Sequence, residues 1–195
     1  MLAGASLLLL ILSLLWGDIR LFFELRELKP PYTLSHSLTL LGGGLLAVFT
    51  LLWLSRRSLF TWLAFASGWI TVGLVTWSGK HLLCPSHLRP AAVLQIDPMP
   101  ADYPLRYGPG MPSGHSAEAA LAALALAAAY PRRRFLQLSL ALLVLLIALS
   151  RIWMAQHFPS QVGAGLLVGL FAFHLWDGLL FAYRWKRQNR WDVTL

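Results

Sequence analysis

The sequence predicts an all-α, polytopic membrane bundle of about six transmembrane helices, and three observations predict it. Of 195 residues, 57% are hydrophobic and only 12% charged, a balance that does not suit a soluble domain. The apolar residues are blocked into six runs, 1–16, 34–54, 59–78, 111–130, 135–153 and 158–183. A bilayer-crossing helix needs roughly 17 to 25 such residues. Basic residues gather between alternate runs, as they do in membrane proteins with a fixed orientation.

The first run is marginal in length. A secretory signal peptide would bring a basic start and a small-residue cleavage site, and "WGDIRLFFELREL" offers neither. The run therefore reads as a retained helix. "DIRLFFELREL" alternates charges with Leu and Phe and stops at "KPP", which suits a helix lying along the membrane surface. Runs four and five reach spanning length only if their polar ends face the protein interior. Small residues mark close helix contacts: "GGG" at 42–44, "SAEAALAALALAAA" in run four, and Gly165 four positions before Gly169. No repeat, low-complexity tail or second domain interrupts residues 1–195, so a single membrane-embedded domain is expected. The one long connection, 79–110, holds six of the eleven prolines, and connections of that length are usually functional or disordered.

A net charge of +8 would suggest nucleic acid for a soluble protein. Its distribution excludes that partner. Arg56 and Arg57 follow run two, Arg132, Arg133 and Arg134 follow run four, and Arg184, Lys186, Arg187 and Arg190 follow run six. These are nine of the 16 basic residues, all on one side of six alternating helices. That side is cytoplasmic by the positive-inside rule, with both termini on it. The loop 79–110 and the turn after run five then face outward, toward the periplasm if the membrane is a bacterial inner one. Cys84 stands alone, so no internal disulfide forms.

The outer face collects three polar clusters: "KHLLCPSHLRP" (80–90), "PSGHS" (112–116) and "SRIWMAQH" (150–157). An ionisable residue at a membrane edge is costly enough to suggest function, although Arg151 could merely snorkel and His157 be merely solvated. Together the clusters supply what phosphate chemistry needs. Arg89 and Arg151 offer planar forks of donors, and Lys80 a point charge. Ser113 and the Gly114 amide precede a helix start, where unpaired N–H groups favour an anion. His115 and His157 can divide the labour of nucleophile and general acid, since imidazole titrates near neutrality. A metal site would want clustered carboxylates or paired histidines, and this face has only Asp97 and Asp102 in its central loop. No metal or other cofactor is expected. His81 and His87 read as loop residues. His36 and His174 read as satisfied by neighbouring helices, Glu118 as a neighbour of His115 or Lys80 or an inward hydrogen bond, and Asp177 as pairing near the cytoplasmic end of run six. The nine tryptophans mark interfaces.

The three clusters resemble the signature of the type 2 phosphatidate phosphatase superfamily, which also includes vanadium haloperoxidases and glucose-6-phosphatase. Its pattern runs Lys, six residues, Arg-Pro; Pro-Ser-Gly-His; then Ser-Arg, five residues, His, three residues, Asp. Residues 112–115 match fully, and Ser150 through His157 match in spacing, within an active-site core of 80–161. The resemblance implies a membrane phosphatase in which His157 forms a phosphohistidine and His115 protonates the leaving group, then activates water. Lys80, Arg89, Ser113, Gly114 and Arg151 would hold the phosphate. Two positions depart from the pattern. Eight residues, not six, separate Lys80 from Arg89, so the chain must leave its helix at Pro85 and loop back. Gln161 stands where the pattern has Asp, and here "SRIWMAQHFPSQ" is similar to glucose-6-phosphatases. Gln161 should still accept a hydrogen bond from His157.

These readings imply a lipid phosphate or diphosphate substrate, of phosphatidate, phosphatidylglycerophosphate or polyprenyl diphosphate type, reached sideways from the surrounding membrane lipids. Alternatives are a sugar phosphate, phosphotransfer to another lipid, or a non-catalytic lipid-phosphate binder or transporter. Oligomeric state has no signal in the sequence. The charge asymmetry makes one prediction. In a Cys84→Ser background, an impermeant thiol reagent applied to intact cells should label Pro100→Cys and not Arg133→Cys; labelling at 133 alone inverts the orientation.

Overall fold

The order of the helices reproduces the order of the apolar runs. The computed structural model describes residues 1–56, 59–94, 96 and 104–191, with side chains described as far as residue 179. Arg57, Asp97, Pro100 and Asp102 lie outside the described residues, and the side chains of Arg184, Lys186, Arg187 and Arg190 are likewise not described. We label the helices α1 (Leu2–Trp16), α2 (Asp18–Glu27), α3 (Tyr32–Ser55), α4 (Leu59–Leu83), α5 (Gly114–Ala129), α6 (Arg134–Trp153) and α7 (Pro159–Trp191). A single helical turn, Pro90–Val93, lies between α4 and α5.

Among the described residues, four helices carry an apolar stretch long enough to cross a membrane, and α1 with α2 would make a fifth if the bent pair is one span. The six expected spans are thus four or five by length. The shortfall has two causes. α1 is only 15 residues and turns through 116° into α2 at Gly17. α5 is 16 residues, about 24 Å at 1.5 Å per residue, because its run spends residues 111–113 on the polar turn before the helix.

α5 is the hub, packing against α3, α4, α6 and α7. Alanine makes this arrangement feasible: Ala117, Ala119, Ala120, Ala122 and Ala123 are all buried, and the absence of long side chains lets neighbouring backbones come close. The glycine signals act as expected. A Cβ on Gly165 would land on the Ser113 carbonyl, and one on Gly169 on the Ala117 carbonyl. One on Gly42 would strike Ile147.

Two helices bend through π-turns, at Leu41–Leu45 in α3 and Gly79–Leu83 in α4. Extra residues in a helical turn often mark functional sites. In α3 the break needs Gly44, whose φ of 103° is open to glycine without strain. In α4 the turn closes with Cys84 N–H donating to Gly79 O at 2.8 Å. The helix therefore continues past Ser78 and ends at Leu83, before Pro85 rather than at it.

α2 is a helix, as its charge alternation suggests, but it does more than rest on a surface. Leu21 and Phe22 are buried, and Phe22 meets Phe158 edge-on at 5.4 Å between ring centres. Asp18 reaches across the fold to accept bonds from the Ser160 N–H (3.0 Å) and the Ser160 hydroxyl. It caps α7 from a remote part of the chain, an arrangement worth about 1 kcal/mol for an ordinary cap. Pro159 opens α7 without wasting a donor. The indole of Trp153 donates to Leu25 O at 3.1 Å, so α2 holds both sides of the turn 154–158.

Gly165→Ala should lower thermal stability by about 1–3 kcal/mol, the usual cost of overpacking, because the obstacle is backbone. Gly73→Ala, where nothing stands within 4 Å, should be neutral or slightly stabilising. A thermal-shift comparison of the two in detergent checks the pair; equal melting temperatures would contradict the close contact.

Candidate active site

All three polar clusters meet at one end of the bundle. α6 ends at Trp153, and the turn beyond it passes through Ala155, a non-glycine residue at φ 52°. This turn is tied to its own helix: Met154 N–H donates to Ser150 O, and Gln156 and His157 N–H both donate to Arg151 O. His157 thereby faces inward and is 2% exposed.

The imidazole of His157 is held at both nitrogens. Nδ1 lies 3.0 Å from Gln161 Oε1, and Nε2 lies 3.2 Å from the Arg89 guanidinium. A guanidinium can only donate, so Nε2 is the acceptor and the proton sits on Nδ1, donated to Gln161. The amide of Gln161 is fixed in turn. Its Oε1 also accepts from Phe158 N–H (3.3 Å), while its NH₂ donates to the carbonyls of Leu88 (2.8 Å) and His87 (3.4 Å). With donors on one side and acceptors on the other, only one amide orientation satisfies all four bonds. The hydrogen bond expected between His157 and Gln161 is thus present. Burial first, then the charges of Arg89 and Arg151, hold His157 well below the usual imidazole range; the bond to Gln161 opposes this only in part. The ring is neutral at neutral pH, with the Nε2 lone pair turned toward the cations.

The longer spacing of the first cluster is absorbed by the π-turn in α4 and by the turn at 84–87, closed by His87 N–H to Cys84 O at 3.1 Å. Leu88 then pairs with Pro109 in an isolated bridge. Arg89 swings back into the bundle, 6% exposed, and also donates to Gln156 O at 3.0 Å. Its pKa is lowered to about 10 by burial and by Arg151 and Arg106, so it stays charged near neutrality. Arg151 is 3% exposed and donates to Thr39 Oγ1 at 3.1 Å. Thr39 also bonds Ser150 Oγ (3.0 Å), which donates to Ile147 O. Lys80 is half-buried, in electrostatic range of Arg89, Arg106, Arg151 and Glu118.

Ser113 is the N-cap residue of α5, and the first bond of the helix is Ala117 N–H to Ser113 O. The amides of Gly114, His115 and Ser116 are left without an intrahelical acceptor. Ser113 itself is fully buried: its N–H donates to Gln161 O (2.9 Å) and its hydroxyl accepts from Ser116 (3.0 Å). His115 is half-buried beside the α3 break, where a Cβ on Gly43 would stand 3.1 Å from its Nε2. The charges of Arg151, Arg106, Lys80 and Arg89 all reach it. Cations, not carboxylates, dominate the site, and among the described residues no three His, Cys, Asp or Glu converge as metal ligands.

A family model described as the PAP2 superfamily matches residues 58–191, more than two thirds of the chain. The chain belongs to the PAP2 superfamily. It is a membrane phosphatase by class. The crystal structure of LpxE from Aquifex aeolicus is similar over 82% of this chain and 94% of that one, with a TM-score of 0.71 at 22% identity. A second is the first transmembrane PAP2-type phosphatidylglycerolphosphate phosphatase from Bacillus subtilis. It covers 91% of this chain and 94% of its own, with a TM-score of 0.66 at 20% identity. At these identities the likeness is one of fold. Comparison with curated proteins gives no match.

This PAP2 chain also uses residues that spacing did not single out. Thr39 steadies Arg151 from inside an apolar run, where nothing marks it out from the neighbouring hydroxyls of Ser35 and Ser37. Gly110 must lack a side chain because a Cβ there would overlap the Gln161 amide. Gln156 is 1% exposed and donates to Pro104 O at 3.3 Å, and Arg106 adds a fourth cation from the loop. Of the histidines set aside, His81 and His87 are exposed. His36 bonds and stacks on Tyr32 of its own helix, and His174 packs edge-on against the adjacent Phe173. Glu118 bonds Trp69 and lies in range of Lys80.

Replacing Gln161 tests the orientation directly. Gln161→Leu removes the acceptor for Nδ1–H and should reduce turnover roughly ten- to a thousandfold, as loss of comparable orienting groups does. Gln161→Glu keeps an acceptor but adds a negative charge, which favours the imidazolium. With the free base as the expected nucleophile, the acid limb of the pH–rate profile should move to higher pH than in the native protein. Leu at 161 with unaltered turnover and pH dependence would reduce Gln161 to a packing residue.

Proposed function

We propose that the protein hydrolyses a phosphate or diphosphate ester of a membrane lipid, without a metal, through a phosphohistidine at His157. The observation that supports it is the fixed tautomer of His157. Its Nε2 lone pair is unprotonated at neutral pH and lies beside the guanidinium that a phosphate oxygen would claim.

In the first step Arg89 transfers its donor from Nε2 to the phosphate, Nε2 attacks phosphorus, and the bond to the leaving oxygen breaks. His115 gives that oxygen its proton. The phosphate itself brings the negative charge that lets a protonated His115 sit among these cations. In the second step His115 takes a proton from water, the water oxygen attacks phosphorus, the P–N bond breaks and phosphate departs. Arg151, Lys80 and the free amides at the start of α5 stabilise the charge spread over the equatorial oxygens, which is the main task of a phosphoryl-transfer site. Both departures that would favour a non-catalytic binder have a constructive part here: Arg89 still reaches His157, and Gln161 orients it.

The lipid assignment rests on access. Exposed apolar side chains such as Leu74, Trp77, Leu82 and Leu83 line α4 on either side of Lys80. The test is phosphate release by purified protein from phosphatidate, phosphatidylglycerophosphate, a polyprenyl diphosphate and glucose 6-phosphate, with excess chelator present. Lipid turnover should persist in chelator and be abolished by His157→Ala. His115→Ala should spare an aryl phosphate more than an alkyl ester, since a general acid matters most for a basic leaving oxygen. Turnover of glucose 6-phosphate alone would replace the lipid by a sugar phosphate, and activity restored only by magnesium would remove the metal-free mechanism.

A further inference from the structure

The first turn of α7 carries Gln161, and the cap of that turn is built from two distant pieces of chain. Phe158 is the N-cap residue, and its carbonyl accepts the first bond of the helix, from Val162 N–H at 3.1 Å. Half of a capping box is present, because Gln161 at the third helical position reaches back to Phe158 N–H (3.3 Å). The other half needs a side-chain acceptor at position 158, and phenylalanine has none. That position is committed to packing instead: Phe158 is 6% exposed and meets Phe22 of α2 edge-on.

Asp18 supplies the missing acceptor from α2, 142 residues away in the chain. One carboxylate oxygen accepts Ser160 N–H at 3.0 Å, and the other accepts the Ser160 hydroxyl. A carboxylate also suits the partial positive charge of a helix start. Without Asp18 both donors lose their acceptor, one residue before Gln161, and an uncapped first turn is free to fray. That turn holds two parts of the site together. Gln161 Oε1 accepts His157 Nδ1–H (3.0 Å), and Gln161 O accepts Ser113 N–H (2.9 Å).

We propose that Asp18 is a positioning residue for the reaction: by capping α7 from α2 it holds Gln161 in place, and so keeps the His157 proton on Nδ1. Asp18 acts through Gln161 and not on the reacting atoms. The proposal rests on the phosphohistidine reading above, and it makes α2 part of the working site although none of the three polar clusters lies on it.

Asp18→Ala should lower kcat roughly three- to thirtyfold, the range of a lost helix cap, with KM little changed because Arg89, Arg151 and Lys80 are held elsewhere. Asp18→Asn should stay within about threefold of native, since its carbonyl still accepts the N–H and its amide donates to the Ser160 hydroxyl. A double-mutant cycle separates positioning from general stability. In a Gln161→Leu background Asp18→Ala should cost less than about twofold, because the amide it positions is gone. Ser160→Ala keeps the N–H bond and loses only the hydroxyl, so it carries the same cycle, with a smaller loss, if Asp18→Ala does not fold. Nitrogen NMR of the His157 ring needs no substrate. The native ring should show Nδ1 protonated and Nε2 free near neutral pH, and the ring in Asp18→Ala a mixture of the two tautomers. Equal costs in both backgrounds, an unchanged kcat, or an unchanged tautomer overturns the role of Asp18 and leaves the phosphatase reading intact. If the native protein releases phosphate from none of the lipids, that reading falls, and the NMR comparison still decides whether Asp18 sets the tautomer.

Discussion

The amide of Gln161 is the joint on which the site depends. Its side chain receives Nδ1–H of His157 and gives its own protons to the carbonyls of Leu88 and His87, while its backbone carbonyl receives Ser113 N–H. One residue thus ties together the segments carrying all three polar clusters. A carboxylate at this position could accept from the histidine, but it has no proton for the Leu88 carbonyl. The departure from the family pattern therefore coincides with a departure in the path of the first cluster: the longer loop between Lys80 and Arg89 brings two carbonyls to position 161, and only an amide satisfies both sides. Gly110 completes the fit by leaving space where a Cβ would overlap.

Electrostatics imposes the second constraint. Two arginines are buried beside a neutral imidazole, with a hydroxyl and a backbone carbonyl among their partners. Buried charge is expensive, and it is tolerable here because each guanidinium is hydrogen-bonded, Arg89 to Gln156 O and Arg151 to Thr39. The same charges help to keep His157 unprotonated. Orientation and protonation state come from one arrangement of donors, with no separate device for each.

Close packing makes that arrangement rigid. The start of α5 is pressed against α7 at Gly165 and against the break in α3 at Gly42 and Gly43, so Ser113 and His115 are placed by backbone contact. α2 supports the opposite side of the site, with Asp18 on the first turn of α7 and Phe22 against Phe158. Both π-turns lie beside the site, one next to His115 and one at Lys80. The first breaks α3 at Gly43 and Gly44, and the second closes α4 at Leu83.

By itself the sequence determined the helical class, the order of the apolar runs, the convergence of three clusters on one face and the Gln161–His157 contact. These come from hydrophobic blocks, alternation across a bilayer, and a four-residue spacing that one helical start can bridge. Tertiary structure decided the rest. Whether Arg89 could reach His157 across a longer spacing depended on a π-turn that no local propensity announces. The lengths of α1 and α5 were set by the bend at Gly17 and by the polar turn at 111–113. Thr39 and Gln156 fall outside any spacing rule, because their partners lie 112 and 52 residues away in the chain. Such long-range contacts are set by how close the backbones come, and that closeness is a property of the assembled helices.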